Sequence, residues 1–150
     1  MIERTLVLIK PDAIEKKLCG MVIDRLERLE LSLVGAKVLS VTETLIRTHY
    51  KHLSGKPFLE DIVRYMMGDF NHLPNHKIYA FVFQGENAIE KIRTAIGATN
   101  PEQAAPDTIR GSFGCLKNGV MQNCVHASSS REDAETEIAL WFKPEEVLDN

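Results

Sequence analysis

The run Asn123-Cys124-Val125-His126-Ala127-Ser128-Ser129-Ser130, followed by Glu137-Ile138-Ala139-Leu140-Trp141-Phe142, gathers side chains able to do chemistry. Imidazole is the group best suited to act as base or nucleophile near neutral pH. The pattern predicts that His126 stands just after a short apolar strand, which would fix its position. Three small hydroxyl residues follow where a helix should begin, and a helix N-terminus favours an anion. The block therefore points to covalent or acid–base chemistry on an anionic substrate. Glu137, in the expected last helix, could hold one ring nitrogen and leave the other as the nucleophile, as in a catalytic triad. The plainer alternatives are a hydrogen-bonded structural histidine and a solvated helix-face glutamate.

Cationic residues elsewhere fit the same chemistry. Lys10, in Lys10-Pro11-Asp12, falls at the end of the first expected strand and could meet a phosphate as a point charge. Its alternative is a surface lysine beside a Pro-Asp turn. Arg93 and Thr99 flank the end of an expected helix, and Arg110 sits in Thr108-Ile109-Arg110-Gly111. Arginine grips phosphate in bidentate fashion, so these residues suggest a polyphosphate site. Tyr50 and Phe58 suit either the core or stacking on a base. His72 and His76 have i, i+4 spacing, but Pro74 between them breaks a helix, and no metal site is expected there. Neither a GxxxxGK[ST] loop nor a GxGxxG turn is present, which removes both common glycine-rich phosphate cradles.

The elements that must position these residues fit one domain spanning residues 1–150. Hydrophobic residues make up 44% and charged residues 26%, as in globular proteins with a full core. A net charge of -3 gives no field for nucleic acid or an anionic membrane, so any anion site must be local. Cys19, Cys115 and Cys124 are odd in number and lack paired spacing, which argues against a disulfide framework or zinc site. The apolar run at Leu6–Ile9 is too short for a signal peptide or membrane span, and a cytoplasmic protein is expected.

Residues 4–9 read as a strand covered on both faces, 34–41 and 78–83 as strands, and Met121 to Val125 as the last strand. Val22, Leu26 and Leu29 form a helical stripe within 21–31. Thr42 is expected to cap a helix running to about His52, and Pro57 to open another carrying Phe58, Ile62 and Met66. Residues 69–77 read as a loop. Asn87 is expected to cap a helix with Ile89, Ile92 and Ile96, and a helix over 131–139 closes the set. Residues 97–120 show no period and read as a long loop, a feature that is usually functional. This order predicts an α/β (α+β) fold: a ferredoxin-like βαββαβ sandwich with a four-stranded antiparallel sheet and an added helical hairpin between the second and third strands.

Taken in order, these motifs resemble those of the nucleoside diphosphate kinases over essentially the whole chain. They are Thr5-Leu6 to Lys10-Pro11-Asp12, His49-Tyr50, Lys56-Pro57-Phe58, Gly97-Ala98-Thr99-Asn100-Pro101, Thr108-Ile109-Arg110-Gly111, Asn123 to His126 and Glu137 to Phe142. Each is weak alone; the ordered set is highly specific. The resemblance implies a ping-pong kinase that passes the γ-phosphate of a nucleoside triphosphate to a nucleoside diphosphate through a phosphohistidine on His126, by attack of Nδ1. Glu137 and Ser128 match the residues that orient the ring. Lys10, Tyr50, Arg93, Thr99, Arg110 and Asn123 match phosphate and sugar ligands, Phe58 the aromatic stacked on the base, and Val120 a residue on its other side. Mg²⁺ would come held mainly by the nucleotide phosphates, with no protein metal site. A homo-oligomer is implied, a hexamer favoured over a tetramer, with no membrane and no nucleic-acid partner. The chain departs from the family pattern in Ala127-Ser128-Ser129 for the usual Gly-Ser-Asp, in Lys56 for Arg, in Ser112 for Asp, and in longer segments at 69–77 and 110–123.

Overall fold

The computed structural model describes residues 1–148. The chain runs β1 (Ile2–Ile9), α1 (Pro11–Glu15), α2 (Cys19–Glu27), β2 (Ser32–Ser40), α3 (Glu43–His49), α4 (Leu59–Met66), β3 (Lys77–Glu86), α5 (Ala88–Ile96), α6 (Ile109–Phe113), β4 (Cys115–Lys117), β5 (Val120–Gln122), β6 (Val125–Ala127) and α7 (Arg131–Trp141). Four strands form one antiparallel sheet in the order β2-β3-β1-β6, and β4 pairs with β5 in a separate hairpin. The expected ferredoxin-like sandwich, with its helical pair α3–α4 between the second and third strands, is the architecture found. Among the described residues no helix is long and apolar enough to cross a membrane.

β1 is central and covered on both faces, which explains its almost unbroken apolar run. Side chains alternate across a strand, so Leu6 and Leu8 enter one core while Val7 and Ile9 enter the other. The first core packs against α3, α4 and α7 through Ile46, Val63, Met66 and Trp141. The second packs against α2 and α5 through Val22, Leu26, Ile92 and Ile96. Burying each such side chain contributes roughly 1.5–3 kcal/mol, so this strand is the rigid base beneath the site.

Several sequence expectations need correction. Asn87 does not cap α5: it adopts a left-handed conformation (φ 51) without a side-chain cap. The Glu3 carboxylate from β1 takes that role by accepting the Ile89 N–H at 3.3 Å. α4 begins after Phe58 and buries Leu59, Val63 and Met66, while Phe58 is 48% exposed. Leu29 lies beyond the end of α2. Residues 97–120 are not one loop: they contain a 3-10 turn, α6 capped by Thr108, and β4, all too short to show a period. Nor is Met121–Val125 one strand. Cys124 turns left-handed (φ 72) and divides it, so β5 joins the hairpin and β6 the main sheet. His126 therefore stands within β6, opposite Leu8 of β1, rather than after its end.

Candidate active site

Residues facing each other across an antiparallel pair share a face of the sheet. His126 thus points to the same side as Leu8, toward α3 and α7. There its Nε2 lies 2.8 Å from Glu137 Oε1. The same oxygen accepts the Ser128 hydroxyl at 2.7 Å, and Ser128 Oγ in turn accepts the Leu6 N–H at 3.1 Å. Ser128 is fully buried, so the chain of contacts runs from the rigid strand to the imidazole. An ionised carboxylate only accepts, so Nε2 carries the proton and Nδ1 keeps its lone pair. Burial lowers the His126 pKa, outweighing the opposite pull of Glu137, and keeps the ring neutral and nucleophilic. Burial alone would raise the Glu137 pKa; the bonds and charge of His126, with Ser128, bring it below the usual value.

A second buried group sits beside the first. Lys10 follows β1, and its backbone N–H donates to Cys124 O at 2.8 Å. Its Nζ donates to Asn123 Oδ1 at 2.8 Å. Burial, with nearby Arg110, lowers the Lys10 pKa to about 7 against the smaller pull of Asp12. Asp12 is fully buried; it accepts the Tyr65 hydroxyl at 2.5 Å and the Cys124 N–H at 3.1 Å. Asp12 thereby holds the left-handed turn that separates β5 from β6 and sets the start of the strand carrying His126. Burial, then Asp12, pushes the Cys124 thiol up to about 12, so it is no competing nucleophile.

Three of Arg110's nitrogens donate to backbone carbonyls: Val125 O at 2.8 Å, Gly97 O at 3.1 Å and Asn123 O at 3.3 Å. A guanidinium has five N–H groups, so two remain for an anion. Asn123 Nδ2 donates to Thr99 O at 3.0 Å, and Arg93 Nη1 to Ser129 O at 3.0 Å. Gly97 ends α5 at φ 95, and a Cβ there would meet Thr108 Oγ1 at 2.4 Å, so only glycine fits this close turn. Lys10, Tyr50, Arg93, Thr99, Arg110, Asn123, His126 and Glu137 all line one open cavity of about 1510 Å³. That is larger than the roughly 300–1,000 Å³ of ordinary ligand pockets, because the cavity is wide open to solvent. An oriented imidazole with Lys10, Arg93 and Arg110 lining the same cavity can accept a group from a polyphosphate.

The nucleoside diphosphate kinase family model matches residues 3–147. The chain belongs to the nucleoside diphosphate kinase family. It is 41% identical over 148 residues to the nucleoside diphosphate kinase of Pyrococcus furiosus, covering 99% of this chain and 88% of that one. Identity to the Staphylococcus carnosus enzyme is 43% over 145 residues, with 97% and 90% covered. The Aquifex aeolicus nucleoside diphosphate kinase structure superposes with a TM-score of 0.86 at 33% identity, covering 99% of this chain and 100% of that one. The Borrelia burgdorferi structure, a transition-state mimic with bound vanadate and ADP, gives 0.87 at 32%, covering 99% and 92%.

Two residues that the family resemblance assigns to the nucleotide base stand apart from the cavity. Phe58 is exposed at the start of α4, and Val120 lies in the β4–β5 hairpin; neither lines the cavity. Sequence reasoning gave no role to four buried residues that touch the site. Asp12 and Tyr65 brace Cys124, as described. His49 Nδ1 accepts the Trp141 indole N–H at 2.9 Å, and the His49 ring stands 4.5 Å from that of His126, edge to face. Burial, then His126, lowers the His49 pKa to about 3. Tyr50 packs on His49 at 4.6 Å, and burial raises its pKa, so it remains a neutral hydroxyl. A histidine, tyrosine or tryptophan in an apolar stretch gives no sequence signal that separates such a role from plain core packing.

Proposed function

We propose that this chain acts as a ping-pong nucleoside diphosphate kinase, with residues 1–150 as one domain. His126 Nδ1 attacks the γ-phosphorus of a nucleoside triphosphate. The N–P bond forms as the β–γ bridging P–O bond breaks, and the electron pair departs with the nucleoside diphosphate. The Nε2 proton stays between His126 and Glu137, whose charge balances the positive imidazole. A second nucleoside diphosphate then attacks the phosphoryl group with a terminal phosphate oxygen and frees His126.

The other residues position and neutralise charge, which is most of what phosphoryl transfer requires. Lys10 and Arg110 face the terminal phosphates; Arg93, Thr99 and Tyr50 hold the rest of the phosphate chain and the sugar. Asn123 holds Lys10 in place. Phe58 and Val120 lie outside the cavity and would meet the base only where it extends beyond the cavity's edge. Glu137 is already engaged by His126 and Ser128, and Ser129 offers a hydroxyl where the family pattern has a carboxylate. This donor set suits Mg²⁺ that arrives on the phosphates rather than in a carboxylate cage, and when bound it would offset the charge of the phosphates. A cytoplasmic homo-oligomer, a hexamer rather than a tetramer, completes the proposal; light scattering would settle the number.

The observation that carries this reading is the Ser128–Glu137–His126 chain, which occupies Nε2 and leaves Nδ1 as the free nucleophile. Protein incubated with Mg²⁺ and γ-labelled ATP should take up an acid-labile, alkali-stable label. GDP should discharge it to GTP, and His126→Ala should take up none. Nucleotide binding without labelling would leave a nucleotide-binding scaffold instead.

A further inference from the structure

His49, His126 and Glu137 each present a ligand atom within 4.8 Å of the others. Two imidazoles and a carboxylate at that spacing are donors that suit Zn²⁺ or a similar ion. A metal held there through His126 would compete with phosphoryl transfer, and the contacts of His49 decide whether its ring is offered as a ligand. An indole N–H can only donate. The 2.9 Å contact from Trp141 therefore makes His49 Nδ1 an acceptor and leaves the proton of the neutral ring on Nε2. Trp141 is 2% exposed and His49 6%, so water cannot readily take the place of either partner. His49 lines the cavity, and Nε2 is the nitrogen that Trp141 leaves free.

We propose that Trp141 is a positioning residue whose indole N–H fixes His49 as its Nε2–H tautomer. His49 then carries a hydrogen-bond donor at its free nitrogen, not a lone pair. Binding a metal through Nε2 would put the proton on Nδ1, against the indole N–H, so His49 is held back as a ligand beside His126 and Glu137. The donor instead serves a phosphoryl oxygen beside His126, where negative charge is carried during transfer. This rests on the phosphotransfer reading for its purpose, but not for its test.

The test begins with the wild-type protein labelled with ¹⁵N-histidine, with His49 assigned by comparison with His49→Gln. Long-range ¹H–¹⁵N spectra should show unprotonated Nδ1 and protonated Nε2 at His49. The reverse would overturn the proposal, whether or not the protein transfers phosphate. Trp141→Phe keeps an aromatic ring but loses the N–H. Titrated with Zn²⁺ alone against a chromophoric chelator, it should bind about 10- to 100-fold more tightly than wild type, the scale on which outer-shell partners tune metal sites. Adding His49→Gln should abolish that gain. Unchanged Zn²⁺ affinity in a folded Trp141→Phe protein would also overturn the proposal. If that variant does not fold, the wild-type spectrum alone decides. If wild type takes up no label from γ-labelled ATP while His49 shows the expected tautomer, the kinase reading fails and this one stands.

Discussion

Replacing Glu137 with glutamine removes the negative charge behind His126 and little else. The carboxylate oxygen accepts from both His126 and Ser128, at 2.8 and 2.7 Å, in a pocket where Glu137 is 16% exposed. Glutamine keeps the volume and one acceptor oxygen, so Ser128 and the ring can remain in place. The loss is the charge that balances the imidazole as Nδ1 bonds to phosphorus. A hydrogen bond to a charged group contributes about 1.5–3 kcal/mol, against about 0.5–1.5 for a neutral one. The difference of about 1–2 kcal/mol corresponds to about 5- to 30-fold in rate. Rapid-quench labelling with γ-labelled ATP at saturation measures the phosphorylation step directly. Glu137→Gln should slow it by that factor with little change in nucleotide affinity. Ser128→Ala, which leaves the carboxylate, should slow it less. A rate within two-fold of wild type would refute the role given to Glu137.

Nucleotide binding should take up a proton above neutral pH. Unliganded Lys10 loses its charge near pH 7, and phosphate oxygens restore it, so calorimetry at pH 8 should show uptake approaching about one proton per site, absent in Lys10→Met; enthalpies that ignore the buffer's ionisation heat would contradict this. Acid should weaken the fold through His49. Its pKa near 3 against about 6.5 when unfolded means that the unfolded chain binds the extra proton between these values, so stability falls with pH below about 6.5. Urea unfolding at pH 7 and pH 5 should differ by about 2 kcal/mol from this residue, and a stability unchanged across that interval would sink the point. Asp12→Asn should cost about 1–3 kcal/mol in the same assay, because two hydrogen bonds to a carboxylate, from Cys124 N–H and the Tyr65 hydroxyl, become bonds to a neutral amide, and it should slow labelling by loosening the turn before β6. A variant with wild-type stability and rate would remove Asp12 from the account.

What the sequence made legible is what lies close along the chain. Strand β1, the helical stripes and the pairing of His126 with Glu137 all follow from local periodicity or short spacing. What it hid depends on contacts made only after folding. Asn87 looks like a cap, yet Glu3 reaches the same helix from the adjoining strand. Lys10 reads as a surface residue until the β1–β6 pairing buries it against Asn123. The left-handed Cys124 gives no sign, because the contacts that hold it, from the Asp12 carboxylate and the Lys10 N–H, come from residues more than a hundred positions away. Trp141 and His49 meet across 92 residues, and neither side chain alone reveals the other.

Which nitrogen of His126 carries the phosphoryl group decides whether Glu137 aims the nucleophile. Phosphoenzyme prepared with ATP from ¹⁵N-histidine-labelled protein, read by ³¹P–¹⁵N correlation, identifies that atom. Phosphorus bonded to Nδ1 of His126, with a proton on Nε2, is the expected result. Phosphorus on Nε2, or on any other residue, would contradict it, because the Glu137 clamp would then not be what aims the nucleophile.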